Sequence, residues 1–193
     1  MTVPREGTFA TATRIVAGDD KTQYDGVSIA LHWLTALLVI TQFALALLWD
    51  SFARPTHHLM VVAHMSFGII LTAVIVARIV WRLMPGHQIS SLEAGWVGRA
   101  ARAVHYLLYV LLAAEAVLGF LTRWWEGREM SFFGLLIPGP FGAGDRATHQ
   151  MFMGWHDKIG WAIIIVAIGH AAAALYHHVV LKDRTLRRML PGR

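Results

Sequence analysis

The hydrophobic residues of this chain are concentrated in four long stretches, separated by segments that carry most of the polar and charged residues. A bilayer core about 30 Å thick is crossed by about 20 apolar residues in helical conformation. Each stretch reaches that length, and several have Trp or Tyr near an end, as expected where a helix leaves the membrane. The pattern predicts a polar tail over 1–28 and no strand. It predicts one domain over 29–193 with transmembrane helices over about 29–49, 61–83, 103–122 and 159–181.

The composition supports a membrane protein and excludes several other classes. Of the 193 residues, 56% are hydrophobic and 15% are charged, whereas soluble domains have roughly 45–50% apolar and about 25% charged residues. This hydrophobicity excludes intrinsic disorder. The absence of Cys excludes a disulfide scaffold, iron–sulfur clusters, Cys-ligated zinc and covalently attached c-type haem. The predicted fold class is therefore an all-α, integral membrane four-helix bundle.

The distribution of Lys and Arg predicts the orientation of the bundle. The formal net charge is +5, and we interpret this basicity as a membrane-orientation signal rather than as a sign of nucleic-acid binding. The side that holds both termini has twelve basic residues and the opposite side has five, so both termini are predicted to be cytoplasmic. The opposite, outer side has Arg54, Arg123, Arg128, Arg146 and Lys158. The apolar stretch 132–137, in the long outer link, is expected to lie on the membrane surface.

Histidine is unusually frequent, and an ionisable residue inside a membrane span is a functional hypothesis by default. Five of the eleven His lie in spans or at their edges: His32, His64, His105, His156 and His170. Since helix direction alternates, His64 and His156 are predicted to pair at the outer level, and His32 and His170 at the inner level. His170 follows His156 by fourteen residues, which is about 21 Å along the same helix face.

Each predicted pair is suited to holding a planar iron porphyrin between two imidazoles. Two imidazoles fill both axial positions of the iron, which favours electron transfer over oxygen binding. Gly68 and Gly160 each follow a pairing His by four residues, and a Gly there leaves room for a flat ring against the backbone. Gly119 on the third helix is a further candidate for the same role.

Other interpretations of these residues stay open at this point. Intramembrane His can hydrogen-bond between helices, and Gly permits close helix packing. A His-lined zinc or copper transporter is the main metal alternative, although Glu115 is the only carboxylate predicted inside a span, and transporters usually line their path with several. Glu115 itself is either a proton relay or a protonated acid bonded to a neighbouring helix.

Further polar residues near the inner ends of the spans are candidates for cofactor binding. His105 is a competing ligand, a quinone-binding donor or a structural residue. His177 and His178 contact lipid headgroups, haem propionates or quinone, or have a plain interface role. Arg78 and Arg82 are candidate partners of haem propionates, and membrane anchoring by snorkelling is the alternative.

Several short segments resemble one known family. They are 28–33 (SIALHW), 64–68 (HMSFG), 155–156 (WH) with Gly160, and 170–178 (HAAAALYHH), which continues through 182–191. From about Tyr24 to the C-terminus the chain resembles the bacterial cytochrome b561 family, four-helix dihaem proteins of the inner membrane. The resemblance implies two haem b groups, with His32, His64, His156 and His170 as the iron ligands.

The resemblance also implies an activity. Family members are similar to superoxide:ubiquinone oxidoreductases, which oxidise superoxide at the outer face and reduce ubiquinone, with two superoxide consumed per quinol. Expected partners are thus lipid, quinone and superoxide; in an alternative, the same haems serve a periplasmic redox protein such as a dehydrogenase or hydrogenase. Lys158, two residues after His156, is the candidate catalytic residue that attracts the superoxide anion. Five acidic residues balance the five basic ones on the outer face: Asp50, Glu126, Glu129, Asp145 and Asp157.

Overall fold

The computed structural model describes residues 24–85 and 95–190. Within these residues, four helices are long and apolar enough to cross a membrane, which confirms the all-α membrane bundle. They are α1 (Gly26–Leu48), α2 (Arg54–Leu83), α3 (Gly95–Trp125) and α4 (Arg146–Val179). Most of the predicted N-terminal tail lies outside the described residues, as do four of the twelve basic residues counted on the side of the termini: Arg5, Arg14, Lys21 and Arg193.

The helices extend beyond the hydrophobic stretches that predicted them. The largest difference is in α4, which begins at Arg146 rather than near 159, so His156 lies ten residues inside the helix and not at its start. Hydropathy identifies only the part of a helix that crosses hydrocarbon, whereas the helix itself continues until it is capped. Asp145 supplies that cap by accepting a hydrogen bond from the backbone N–H of Thr148 at 2.9 Å. In α2, Pro55 occupies the first turn, where its missing N–H costs nothing.

The link between α3 and α4 contains a short antiparallel hairpin, so the prediction of no strand was wrong. Strands β1 (Met130–Phe132) and β2 (Leu135–Ile137) pair through a two-residue turn. The turn residues Phe133 and Gly134 have φ of 50° and 93°, which is typical of tight hairpin turns.

A contact far away in sequence explains why this hairpin forms. Ser66 of α2 is fully buried, and its hydroxyl accepts a hydrogen bond from the backbone N–H of Phe133 at 2.8 Å. The same hydroxyl lies 3.3 Å from the carbonyl oxygen of Ser131. The hairpin therefore packs on α2 along β1, while Leu135 and Leu136 of β2 remain exposed.

An apolar layer occupies the middle of the bundle. Ile75 of α2, Leu112 of α3 and Ile163 of α4 are buried together, and α1 packs mainly on α2 as α3 does on α4. Ile163 is seven residues from both His156 and His170, so this layer separates the two histidine levels. The outward faces remain apolar, as expected of a surface in contact with lipid.

Candidate functional site

The first histidine pair lies between α2 and α4 and is called the outer pair below. The ring centres of His64 and His156 are 6.2 Å apart, with their planes at 88°. Nδ1 of His64 lies 3.3 Å from the backbone oxygen of Gln42, and Nδ1 of His156 lies 3.2 Å from Oε1 of Glu115. Because both Nδ1 atoms face an oxygen, Nε2 is the nitrogen of each ring left for a ligand between them.

The second pair lies between α1 and α4 and is called the inner pair. The ring centres of His32 and His170 are 6.3 Å apart, with their planes at 71°. A third imidazole, that of His105 on α3, has its centre only 5.1 Å from the ring of His170. Nη2 of Arg78 lies 3.5 Å from Nδ1 of His32.

These separations test whether an iron porphyrin fits between the rings. A bond from a metal to an imidazole nitrogen is about 2 Å long, and that nitrogen is about 1 Å from its ring centre, so two axial imidazoles have centres about 6 Å apart. Both pairs fit this value. His105 is too close to His170 for an iron to lie between their rings, so the geometry favours His32 over His105 as the partner of His170.

The sites differ from those that hold a bare metal ion. In residues 24–85 and 95–190, no group of three or more His, Asp or Glu side chains is placed to hold a metal ion. A porphyrin supplies four nitrogen ligands of its own, so the two imidazoles of a pair complete the coordination of its iron.

Three glycines surround the outer pair. A Cβ atom on Gly119 would lie 3.3 Å from Cε1 of His156, closer than ordinary contact. On Gly68 it would lie 2.9 Å from Nε2 of Gln42, and on Gly160 it would lie 3.2 Å from Oε1 of Glu115. In the structure the side chains of Gln42 and Glu115 lie against Gly68 and Gly160. That these glycines leave room for a flat ring stays a prediction.

Gln42 is a residue that the sequence analysis missed. It lies in the otherwise apolar run of α1, ten residues after His32, and an amide in such a run is the signal that could have identified it. Oε1 of Gln42 is buried without a hydrogen-bond partner among the described residues, and so is Oε2 of Glu115. The outer pair therefore lies in a polar setting inside an apolar bundle.

A cavity opens beside the inner pair. It has a volume of about 390 Å³, including space open to solvent, and is lined by Tyr24, Ser28, Leu31, Arg78, Trp81, Arg82, Tyr109 and Met189. The guanidinium of Arg78 lies 5.2 Å from the ring centre of Tyr109. Arg78, which contacts His32, and Arg82 and Tyr109, which line the same cavity, form a setting suited to carboxylate groups such as haem propionates.

His177, which the sequence predicted to bind a cofactor, lies in the last turn of α4, and its cofactor role stays a prediction. Its Nδ1 hydrogen-bonds to the carboxylate of Asp183 just beyond α4. Burial raises the pKa of Asp183, but the hydrogen bonds from His177 and from the N–H of Thr185 outweigh it and lower the pKa. The chain then turns back to α1, where the indole N–H of Trp33 donates to the carbonyl oxygen of Met189 at 2.6 Å. His177 thus holds a C-terminal clasp, which we define as residues 183–190.

Lys158 is not brought to the outer pair. It lies inside α4, where residues two positions apart do not share a face, so it points away from His156. Its ammonium lies 5.2 Å from the ring centre of Trp155, and both side chains are exposed. Nearby, Arg123 and Arg128 both pair with Glu126, at 3.3 and 3.4 Å.

Four apolar helices that enclose paired imidazoles at two depths define a membrane cytochrome in class. The profile of the family described as prokaryotic cytochrome b561 matches residues 23–192. The chain belongs to the prokaryotic cytochrome b561 family, which implies haem b binding and electron transfer in a bacterial membrane that the chain crosses several times.

Three curated relatives illustrate this membership. Cytochrome b561 homolog 2 of Escherichia coli K12 is 35% identical over 87% of this chain and 91% of its own length. Cytochrome b561 homolog 1 of the same organism is 29% identical over 89% and 98%. A protein of Yersinia pestis named "Probable superoxide oxidase CybB" is 30% identical over 88% of this chain and 96% of its own.

Proposed function

We propose that this protein is a dihaem b-type cytochrome of the bacterial inner membrane that oxidises superoxide at its outer face and reduces ubiquinone. The observation that carries the haem part is the spacing of the two pairs, 6.2 and 6.3 Å between ring centres. The superoxide part is supported by the relative whose name gives that activity. The excess of basic residues beside the termini supports a cytoplasmic location for both ends.

Each histidine pair would bind one of the two haems. His64 and His156 would hold the outer haem, and His32 and His170 the inner one. Bound haem would supply reversible one-electron chemistry there. The apolar layer around Ile163 would exclude water from the space between the two pairs. The guanidinium groups of Arg78 and Arg82 would neutralise the propionate carboxylates of the inner haem.

The overall reaction balances with two electrons and two protons. Each superoxide loses one electron and leaves as dioxygen. One ubiquinone gains two electrons and two protons to become ubiquinol, so two superoxide anions are consumed. Quinone is soluble in the bilayer and reaches the bundle from its apolar sides, so the protein needs no soluble electron acceptor.

The outer surface has little to steer an anion at long range. Arg123 and Arg128 share Glu126, and Lys158 lies on a face away from His156. We therefore assign Lys158 only a weak attraction for superoxide, without direct contact with it. Superoxide capture then depends on access to the edge of the outer haem.

The test begins with the absorption spectrum of the purified full-length protein and the haem content per chain. We expect low-spin b-type bands and two haems. Stopped-flow mixing with superoxide, with and without a ubiquinone analogue, then tests the reaction. A colourless protein would refute the haem assignment, whereas two haems with no superoxide turnover would favour an electron-transfer subunit that serves a periplasmic dehydrogenase or hydrogenase.

A further inference from the structure

His156 and Glu115, beside the outer pair, lie next to each other, and each has a buried polar atom without a hydrogen-bond partner among the described residues. Nδ1 of His156 is 3.2 Å from Oε1 of Glu115, which is close enough for a hydrogen bond. Yet the two groups are not aligned for one, and Nδ1 of His156 and Oε2 of Glu115 have no hydrogen-bond partner in the described part of the chain. Such groups are costly unless they satisfy each other, and a small rotation of either side chain would achieve this.

The other ring of the outer pair has an acceptor of a different kind. Nδ1 of His64 faces the backbone oxygen of Gln42, which is neutral and fixed by α1. The acceptor near His156 is a side-chain carboxyl from α3. The ring of His64 is therefore oriented by a backbone carbonyl group, and the ring of His156 by a side-chain carboxyl group.

Gly160 provides the space that this carboxyl needs. A Cβ atom at that position would lie 3.2 Å from Oε1 of Glu115, closer than ordinary contact for a side chain of α3. A larger residue would therefore push the carboxyl away from His156. On this view the glycine one turn after His156 accommodates Glu115.

We propose that Glu115 is the positioning residue of the outer pair, accepting the Nδ1 proton of His156 so that Nε2 faces the haem iron. This inference rests on the proposed function, because it assumes that a haem lies between His64 and His156. It gives a defined role to a carboxyl in the middle of an apolar helix, where an ionisable residue is otherwise unfavourable.

Two measurable properties follow from this role. A hydrogen-bond acceptor at Nδ1, the nitrogen that does not bind the metal, fixes the tautomer of the imidazole and makes Nε2 a stronger electron donor to the metal. A stronger electron donor favours ferric over ferrous iron and so lowers the midpoint potential of the haem. The acceptor also holds the ring of His156 at its angle of 88° to that of His64. Crossed axial rings bring two iron d orbitals close in energy, which gives a strongly anisotropic low-spin electron paramagnetic resonance (EPR) signal.

The test compares Glu115→Gln and Glu115→Leu with the wild type in the purified full-length protein. Haem content is measured first, then the midpoint potential of each haem by redox titration, then the EPR spectrum. Gln keeps an acceptor oxygen and Leu has none, so we expect the potential of one haem to rise slightly in Glu115→Gln and more in Glu115→Leu. The anisotropic signal of that haem should change in Glu115→Leu and persist in Glu115→Gln.

Gln42→Leu is the matched control. It removes a buried polar side chain near the same pair but leaves the backbone oxygen that faces His64, so we expect the EPR signal to be retained. Equal shifts in both Glu115 variants would indicate loss of charge and overturn the positioning role, as would no shift in either. If Glu115→Leu fails to fold, Glu115→Gln with an unchanged potential still overturns it. A wild type without haem would instead refute the proposed function.

Discussion

The imidazole of His64 on α2 and that of His156 on α4 have ring centres 6.2 Å apart and nearly perpendicular planes, at 88°. The long α3 and the hairpin come between them in sequence, so only the packing of whole helices brings these rings together. At the other level, His32 and His170 repeat the arrangement with nearly the same separation.

Replacing one histidine of the outer pair should remove one haem. We expect His64→Ala or His156→Ala to lower the haem content from two per chain to one, because the remaining pair lies on the far side of the apolar layer. Haem content by pyridine haemochrome assay measures this. His105→Ala is the control and should retain both haems, since its ring is too close to His170 for an iron to lie between them. Loss of a haem in His105→Ala with retention in His32→Ala would contradict the proposed inner pair.

A side chain at Gly119 should disturb the outer pair selectively. Its Cβ would lie 3.3 Å from Cε1 of His156, and the branched side chain of Gly119→Val would push the ring further. We expect weaker retention of one haem and an altered spectrum for it. Gly169→Val is the matched control in α4, because a Cβ there meets nothing within 4 Å apart from its own chain neighbours. Equal effects of both substitutions would show that helix propensity, and not the contact, is responsible.

Reversing the charge of Lys158 should have a small, salt-dependent effect on superoxide oxidation. Because this side chain points away from His156, we expect Lys158→Glu to lower the rate constant by less than about threefold at low ionic strength, with no effect at high salt. Stopped-flow measurements over a range of salt concentrations test this, with Lys158→Gln separating loss of charge from its reversal. A large loss that persists at high salt would instead mean direct contact with the substrate.

The C-terminal clasp should loosen when Asp183 loses its charge. The folded state lowers the pKa of Asp183 below its ordinary value of 3.8, so the stabilisation is complete above that pH and is lost as the pH falls through the lower, folded value. We expect Asp183→Asn to loosen the clasp at neutral pH. A hydrogen bond contributes about 1 kcal/mol, so amide exchange in 184–190 should accelerate by about fivefold.

Mass-spectrometric hydrogen exchange measures this acceleration. Asp145→Asn is the control, because it alters the cap at the opposite end of α4 and should leave exchange in the clasp unchanged. Equal exchange in wild type and Asp183→Asn would show that Trp33 and Met189 hold the clasp without the carboxylate.

The local pattern of hydrophobic residues was sufficient to predict the four spans and the relative depths of the histidines. Hydrophobic stretches revealed the four helices, and the constant rise of a helix placed His156 and His170 at different levels. The start of α4 could not be predicted in this way, because hydropathy ends with the hydrocarbon while Asp145 caps the helix well outside it. The hairpin could not be predicted either, since it depends on a hydroxyl contributed by Ser66.

The sequence by itself determined that this is a four-span membrane protein with intramembrane histidines at two depths, because hydrophobicity and helical rise are local properties of the chain. Only the tertiary structure decided which imidazole faces which, that His105 crowds His170, and that Glu115 and Gln42 lie beside the outer pair. Those relationships depend on how the helices rotate and pack against one another, and side chains from several helices together determine that packing.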